Sequence, residues 1–415
     1  MNPALSRNIR IEKKVKMEEK INKILGLLDP DKETIEKGKQ RQEAIWRGDE
    51  PDFLPILIGG IKNLYTETRE CKVDYDWELK FPHGGLLGGV EVTEFDLFPH
   101  YDLKEQFYHK EKMLVEYIWE LIARARCKSD AQLSIRPNFG SVIVPSIFGA
   151  KYQVFPDKPP WFKEHLSIDQ IIQEDLTNIE EKGLYPQISE FMRYFKQKLQ
   201  GKAHVYLPAI LGPFDTAHLL RGTNIFLDLY DHPSSVFKLM EKTTEIFIKS
   251  NILWKTVIGE PLTSGMYDSV YMATCGVRIT EDSSVLLSPD MWDKFVKPFI
   301  KEALKPFGGG VTHFCGKSDY LLEAHLSLPE VKGINLGQPE MYNYESTIKK
   351  FIASGKVFIG SCWPRKKSES VKDYFSRILS PLKGKKRSLI FQPAGEGEWP
   401  EPHKIIDLWH SLQSR

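Results

Sequence analysis

The tripeptide His313-Phe314-Cys315 carries the side chains best suited to chemistry in this chain. Residues two apart on a β-strand point to the same face, so the imidazole and the thiol would lie side by side. Together they are two of the three or four ligands of a catalytic Zn²⁺, which keeps an open position for a substrate thiol. We predict Cys362, the nearest cysteine in kind and position, as the third ligand. The same spacing also occurs where a hydrogen-bonded histidine packs beside a small apolar cysteine.

Polar residues near the ends of other predicted strands complete the candidate site. We predict Asp282 as a catalytic residue together with His313, although Asp282 could also form a structural ion pair with Arg278. The predicted substrate-binding residues are Arg136, Asn138, Asp215, Tyr267, Glu340 and Gln392. Arg136 and Asn138 could bind a carboxylate through forked hydrogen bonds, or they could serve only to stabilise their loop.

These residues are placed by short apolar segments that alternate with longer helical ones. The predicted strands are 53–58, 133–136, 203–210, 266–271, 310–315, 331–336, 356–361 and 388–391. About eight such units, with strands that are continuously apolar, predict a parallel sheet covered by helices. We therefore predict an α/β fold, a (β/α)8 TIM barrel, with a doubly wound sheet as the alternative. In a barrel of this kind the active site lies at the carboxyl ends of the strands.

The first fifty residues differ from the rest of the chain. Apolar residues at helical spacing stand among many lysines and glutamates, and Asp29-Pro30 breaks the pattern. We predict a helical arm over residues 1–50 and a TIM barrel over 51–415. The arm would pack on the barrel or on a second copy of the chain, which makes a homodimer one expected arrangement.

Composition excludes several classes of function. The 415-residue chain has a formal net charge of +1, so it presents no strong field to nucleic acid or an anionic membrane. No apolar run reaches the ~20 residues that span a bilayer, and residues 1–20 do not resemble a signal peptide. The five cysteines are odd in number and widely spaced, unlike a disulfide framework. We predict a cytoplasmic protein that binds neither nucleic acid nor membrane.

Several strings in the second half of the chain resemble the uroporphyrinogen decarboxylase superfamily. The resemblance covers roughly residues 200–415, and the strings are Leu-Gly-Pro-Phe-Asp-Thr-Ala at 211–217, Leu-Arg-Gly at 220–222, Asp-Leu-Tyr-Asp-His-Pro at 228–233, Asp-Ser-Ser-Val-Leu-Leu-Ser-Pro-Asp at 282–290, Phe-Val-Lys-Pro-Phe at 295–299 and His-Phe-Cys-Gly at 313–316. Members of that superfamily are (β/α)8 barrels. One branch decarboxylates uroporphyrinogen without a cofactor. The other contains zinc-dependent methyltransferases that move methyl groups between corrinoid proteins and thiols.

The resemblance favours the methyltransferase branch. The arginine-rich motif of the decarboxylases has no counterpart near segment 53–58, whereas His313 and Cys315 match the zinc motif. That motif implies a further cysteine on the last strand, where this chain has 389–394 without cysteine. Either Cys362 or an oxygen of Gln392, Glu396 or Glu398 replaces it, or the site has lost its metal. The implied cofactors are zinc and a corrinoid carried by a partner protein. The alternatives are a cofactor-free decarboxylase and a non-catalytic corrinoid- or tetrapyrrole-binding protein.

Overall fold

The structure is a computed structural model, and it describes residues 16–59, 68–70, 80–82, 86–87, 90–91, 101–395 and 399–414. The described helices are α1 (16–27), α2 (Lys32–Arg47), α3 (Leu103–Tyr108), α4 (Lys110–Cys127), α5 (Ile143–Ile147), α6 (Ile168–Gln173), α7 (Tyr185–Leu199), α8 (Pro213–Arg221), α9 (Ile225–Asp231), α10 (Pro233–Ile258), α11 (Pro289–Phe295), α12 (Lys297–Leu304), α13 (Asp319–Ser327), α14 (Tyr344–Ser354), α15 (Val371–Leu379) and α16 (Pro402–Gln413). None of these helices is both long and apolar enough to cross a membrane.

The described strands are short. They are β1 (Thr68–Glu70), β2 (Lys80–Pro82), β3 (Leu86–Leu87), β4 (Val90–Glu91), β5 (Ser134–Ile135), β6 (Tyr152–Gln153), β7 (Trp161–Phe162), β8 (His204–Val205), β9 (Gly265–Tyr267), β10 (Val270–Met272), β11 (Val277–Thr280), β12 (Gly310–Phe314), β13 (Val331–Leu336) and β14 (Val357–Phe358). The pairs β1–β2, β3–β4, β6–β7 and β9–β10 are antiparallel, and the remaining pairs are parallel.

A parallel sheet of four strands in the order β11-β12-β13-β14 carries the candidate site. Its register places Thr280 beside His313 and His313 beside Asn335. Side chains in such a row share one face, and the residues next to them in sequence point to the other face. Phe314 accordingly stacks on His325 of α13, at a ring distance of 5.4 Å. His313 is thereby directed away from the helices and towards Asn335.

Further contacts connect other extended segments to this sheet or to one another. Gly212 donates its N–H to the carbonyl of Thr280, Phe358 forms a bridge with Leu389, and β5 pairs with β8. The first extended segment meets the last one through a bridge between Ile56 and Phe391. The fold is therefore mixed α/β with parallel strands, as the alternating pattern predicted. A closed barrel of eight strands stays a prediction.

The prediction of a barrel strand over 266–271 is wrong. This segment is the antiparallel hairpin β9–β10, and Asp268 turns the chain at a φ of 49°. The strand that joins the parallel sheet is β11, which follows the hairpin and pairs with β12. Tyrosine, methionine and valine favour a hairpin strand as much as a buried parallel one, so the residue types alone could not separate the two.

The N-terminal helices pack on the body of the same chain. Residues 28–31, which include Asp29 and Pro30, separate α1 from α2, where the break was predicted. Arg41 forms an ion pair of 2.8 Å with the buried Asp130, and Gln42 donates to the carbonyl of Asp130. Apolar residues of both helices belong to the same hydrophobic core as the rest of the protein. The domain boundary at residue 50 stays a prediction.

The last helix, α16, packs against the first extended segment. The indole N–H of Trp409 donates to the carbonyl of Leu54 at 2.8 Å, and Gln413 accepts the N–H of Leu54 at 2.7 Å. Trp409 also stacks on Phe391 with 4.3 Å between ring centres. Helix α16, the segment that contains Leu54 and the segment that contains Phe391 thus form one packed unit.

Candidate metal centre

Three potential metal ligands converge at the carboxyl ends of β11 and β12. The ligand atoms of Asp282, His313 and Cys315 all lie within 4.8 Å of one another. His313 Nε2 is 3.5 Å from Cys315 Sγ and 3.5 Å from Asp282 Oδ1. Ligand atoms at bond lengths of roughly 2.0–2.3 Å from a tetrahedral zinc ion lie about 3.4–3.6 Å apart. The two spacings from His313 Nε2 and the chemistry of the three donors therefore fit a zinc ion.

Asn335 determines which nitrogen of His313 faces the other two ligands. Its Oδ1 lies 2.6 Å from His313 Nδ1, and its Nδ2 donates to the carbonyl of Ile359 at 3.0 Å. The second bond fixes the amide orientation, so Nδ1 of the imidazole carries the proton and Nε2 keeps its lone pair. A hydrogen bond of this kind behind a ligating histidine orients the ring and makes it a better donor.

The protonation states agree with a site built for a cation. Burial and the nearby Arg278 lower the pKa of His313 to about 4, so its imidazole is neutral at physiological pH. Burial and the Asp282 carboxylate raise the pKa of Cys315 to about 11, so the thiol keeps its proton in the absence of a cation. A bound divalent ion favours the thiolate, and binding would therefore release a proton from Cys315.

Two buried acids hold the turn that carries Asp282. Asp215 accepts the backbone N–H groups of Asp282 and Ser283 at 2.6 and 2.7 Å. Glu281 in return accepts the N–H groups of Phe214 and Asp215 at the start of α8. Burial raises the pKa of Asp215 to about 6 and that of Glu281 well above its usual value. This geometry favours a positioning role for Asp215 over the predicted contact with substrate.

A glycine on the neighbouring strand end makes room for the Cys315 thiol. A Cβ atom on Gly337 would lie 2.7 Å from Cys315 Sγ, closer than side chains approach one another. The backbone N–H of Cys315 also donates to Asp282 Oδ1 at 2.7 Å, which connects two of the ligands directly. The thiol is thus restricted on one side by the backbone of residue 337 and on the other by the carboxylate.

Cys362, the predicted third ligand, does not join this group among the described residues; Asp282 takes that place. The Cys362 side chain is fully buried, and burial raises the pKa of its thiol to about 12. Burial raises the pKa of Tyr344 in α14 and of Tyr374 in α15, and the nearby Cys362 thiol raises both further. The thiol therefore lies on the helical side of its segment. An extended strand alternates its faces, so its apolar composition could not decide which face Cys362 takes.

The predicted substrate-binding residues divide into two groups. Arg136 and Tyr267 line one small cavity together with Arg278 and Tyr206. Apart from Asp215, which holds the turn of Asp282, the other three lie outside the ligand group, and these are Asn138, Glu340 and Gln392. Asn138 is exposed and accepts the N–H of Gly140, Glu340 is exposed on a short 3₁₀ turn, and the backbone carbonyl of Gln392 accepts the N–H of Cys362. Their contact with substrate stays a prediction. Glu396 and Glu398 lie outside the described residues.

Two residues of the site were missed as such by sequence reasoning. The first is Asn335, which could have been recognised because it is a polar residue on a strand, β13, that is otherwise largely buried. Arg278 was the other, because it was considered only as an ion-pair partner of Asp282. Its guanidinium instead donates to Thr280 Oγ1 at 2.7 Å and weakly to Asn335 Oδ1 at 3.4 Å. A charged residue within a buried strand is the signal that could have identified it.

Comparison with known proteins defines the fold and leaves the activity open. No family model matches the chain, and neither does any curated protein. Among solved structures, the chain is similar to a methyltransferase from Methanosarcina mazei, with a TM-score of 0.59 and 13% sequence identity. The match covers 91% of this chain and 99% of that chain. At this identity the likeness shows a shared mixed α/β fold over nearly the whole length.

Proposed function

We propose that this protein is a zinc-dependent methyltransferase of the uroporphyrinogen decarboxylase type, which moves a methyl group between a corrinoid carrier protein and a thiol. The observation that carries the proposal is the convergence of donor atoms of His313, Cys315 and Asp282 within 4.8 Å of one another, with His313 Nε2 3.5 Å from each of the other two. The motifs at 211–217 and 313–316 and the fold shared with a methyltransferase support it.

The proposal includes the closed barrel. Eight extended segments would close into a (β/α)8 barrel, since the first and the last already meet at Ile56 and Phe391. The N–H of Asp130 also donates to the carbonyl of Ile56, which connects the first segment to the one that leads into β5. In a closed barrel the three ligands would lie at the mouth, where barrel enzymes have their active sites.

Three protein ligands leave a fourth position for the substrate. When bound there, zinc would lower the pKa of a substrate thiol and supply a thiolate at neutral pH. His313, Cys315 and Asp282 would hold the ion, and Asn335 keeps the imidazole in the tautomer that this requires. In the transfer itself a sulfur–methyl bond forms and the bond between the methyl group and its carrier breaks. The electron pair of the broken bond stays on the carrier, and the thiol proton leaves to solvent.

Metal content tests the proposal directly. The purified protein is expected to bind one zinc ion, and Cys315→Ser and His313→Ala should each lower the zinc affinity at least tenfold because a ligand is lost. Loading with cobalt should give a thiolate-to-cobalt charge-transfer band that disappears in Cys315→Ser. Mass spectrometry of the native protein and absorption spectroscopy measure the two quantities.

The matched control is Cys362→Ser, which removes a buried thiol outside the ligand group. It should keep the zinc affinity and the charge-transfer band, whereas the sequence-based choice of Cys362 as ligand requires the zinc affinity to fall at least tenfold. An intact, folded protein that takes up no zinc at micromolar concentration would overturn the proposal. Thermal melting of each variant separates loss of metal from loss of fold.

A cofactor-free decarboxylase is the second candidate. The observation that favours it is Arg136, whose guanidinium has no carboxylate partner among the described residues and could bind the carboxylate of a substrate. Decarboxylation of uroporphyrinogen by metal-free protein, measured as release of carbon dioxide, would favour this function. Turnover that requires zinc would exclude it.

A further inference from the structure

A cavity lined by leucines and lysines lies at the end of the parallel segments opposite the candidate metal centre. Leu54 and Lys386 line it, and each stands just before an extended segment that forms parallel bridges, at Ile56 and at Leu389. The metal ligands instead lie at or near the carboxyl ends of β11 and β12. Parallel strands bring like ends together, so the cavity and the metal centre are separate places.

The interior of this cavity is apolar. Leu54 and Leu382 are buried, Leu379 and Leu412 are partly buried, and all four line it. The side-chain amide of Gln413 lines it as well, but its oxygen and its nitrogen are already bonded to backbone groups. An interior of this kind favours a carbon chain over a polar ligand, because burial of apolar surface is the main favourable contribution that it offers.

The size of the cavity limits the length of that chain. Its volume is about 300 Å³. Small-molecule sites in proteins have volumes of roughly 300–1,000 Å³, so this cavity is at the lower end of the range. Because a water-sized group takes roughly 30 Å³, the cavity accommodates about ten non-hydrogen atoms, as many as a carboxylic acid of about eight carbons has.

Lysines of the loop after α15 give the cavity a positive charge. Lys383, Lys385 and Lys386 all line it. Lys386 donates to the backbone carbonyl of Asp52. Lys383 and Lys385 are exposed, and within the described parts of the chain their side chains have no ion pair and no hydrogen bond.

A carboxylate of the chain acts on Lys383 from outside the cavity. Glu345 does not line the cavity, and its carboxylate is already paired with Lys349 at 2.6 Å. A lysine that served only to satisfy the last carbonyls of α15 would donate to one of them, and in the part of the chain that the structure describes neither Lys383 nor Lys385 does so. Their ammonium groups are therefore available to an anion in the cavity.

We propose that this cavity binds a free fatty acid of about eight carbons, with its alkyl chain against the four leucines and its carboxylate at Lys383 and Lys385. The charge of the lysines complements the carboxylate, and the apolar interior complements the chain. The ligand would contact α15, α16 and the segment of Leu54, and it should raise the melting temperature because it binds only the folded protein. This site does not depend on the proposed methyl transfer.

Four probes test the two parts of the ligand. The full-length protein is titrated with octanoate, 1-octanol, octyltrimethylammonium and butyrate, each below its micelle-forming concentration. Octanoate should bind and raise the melting temperature. 1-Octanol should bind at least fivefold weaker because an exposed ion pair is worth up to roughly a factor of five, and butyrate at least tenfold weaker because it lacks four methylene groups. Octyltrimethylammonium should not bind. Isothermal calorimetry and thermal melting measure these quantities.

Variants assign the binding to this cavity. Lys383→Gln/Lys385→Gln should weaken octanoate at least fivefold and leave 1-octanol unchanged. The matched control is Lys301→Gln/Lys305→Gln, which removes the same charge from exposed positions in and just after α12 and should change neither affinity. Leu412→Trp fills the cavity and should weaken both ligands. The zinc content should stay unchanged in every variant.

Each outcome decides for or against the fatty-acid site. Equal affinity for octanoate and 1-octanol, or equal loss of octanoate binding in the two double variants, overturns it. Sedimentation of the protein with anionic lipid vesicles, without uptake of free octanoate, also overturns it, because the partner would then be a lipid surface. Octanoate binding that depends on Lys383 and Lys385 supports the site even in protein that takes up no zinc, and such protein overturns only the proposed methyl transfer.

Discussion

Asn335 shows how much of the candidate metal centre depends on one residue outside the ligand set. Its Oδ1 accepts the proton of His313 Nδ1, and without this acceptor either nitrogen of the ring can carry the proton. The tautomer with a proton on Nε2 cannot bind a metal through that atom. The amide of Asn335 donates in turn to the carbonyl of Ile359, so the orientation of His313 also depends on the segment that follows β14.

Replacement of Asn335 tests this role. Asn335→Leu should reduce the zinc affinity roughly 10- to 100-fold, which is the usual cost of losing such a partner, while Asn335→Asp should keep most of the affinity because it still accepts from Nδ1. Competition with a chromophoric chelator measures the affinity. Equal loss in both variants would argue against control of the tautomer, since only one of them removes the acceptor.

At the scale of elements, the end of β13 must leave space for the end of β12. Gly337→Ala would place a Cβ 2.7 Å from Cys315 Sγ and 3.0 Å from Cys315 Cα. Because Gly337 has no positive φ, the added methyl acts by contact and not by backbone strain. We expect the zinc affinity to fall at least tenfold with only a modest change in the melting temperature.

A second glycine provides the control for this prediction. Gly26 lies in α1, and a Cβ there would meet nothing within 4 Å. Gly26→Ala should leave the zinc affinity unchanged and raise the free energy of unfolding by about 0.5–1 kcal/mol, the difference in helix propensity. Retention of full zinc affinity by Gly337→Ala would show that the thiol has more freedom than its position here indicates.

The elements also show what the sequence could and could not predict. β13 has the predicted bounds and β12 ends one residue earlier than predicted, because each has apolar residues at alternate positions or better and follows a clear turn. β11 was missed because Arg278 interrupts it and a hairpin of strand-forming residues precedes it. His313 and Cys315 could be recognised from their alternation. The position of Asp282 beside them could not be recognised from the sequence, because it depends on the contact between its turn and Asp215 at the start of α8.

At the scale of the whole molecule, one buried histidine makes stability depend on pH. His325 is fully buried between Phe314 and Trp292, and its ring nitrogens have no hydrogen-bond partner. Burial lowers its pKa from 6.5 to about 3. Below pH 6.5 the histidine of the unfolded chain binds a proton that the buried histidine does not. The free energy of unfolding is therefore highest above pH 6.5 and falls as the pH falls towards 3.

Replacement of His325 should make the protein more resistant to acid. Between pH 7 and pH 4 the histidine costs roughly 3 kcal/mol of stability, at about 1.4 kcal/mol for each pH unit below 6.5. His325→Leu should remove this loss, whatever its effect at neutral pH. Urea denaturation at pH 4 and pH 7 measures the difference, with the exposed His403→Gln as control. Identical pH dependence in wild type and His325→Leu would contradict the expectation.

The packing of α16 on the first extended segment has a consequence for biosynthesis. Leu54 bonds to Trp409 and Gln413, more than 350 residues further along the chain. A ribosome adds 5–20 residues each second, so the Leu54 segment waits roughly 20–70 s for these partners. During that time the part of this segment that α16 covers stays exposed in every nascent chain. Chaperone demand should therefore fall when a circular permutation makes the two segments consecutive in synthesis.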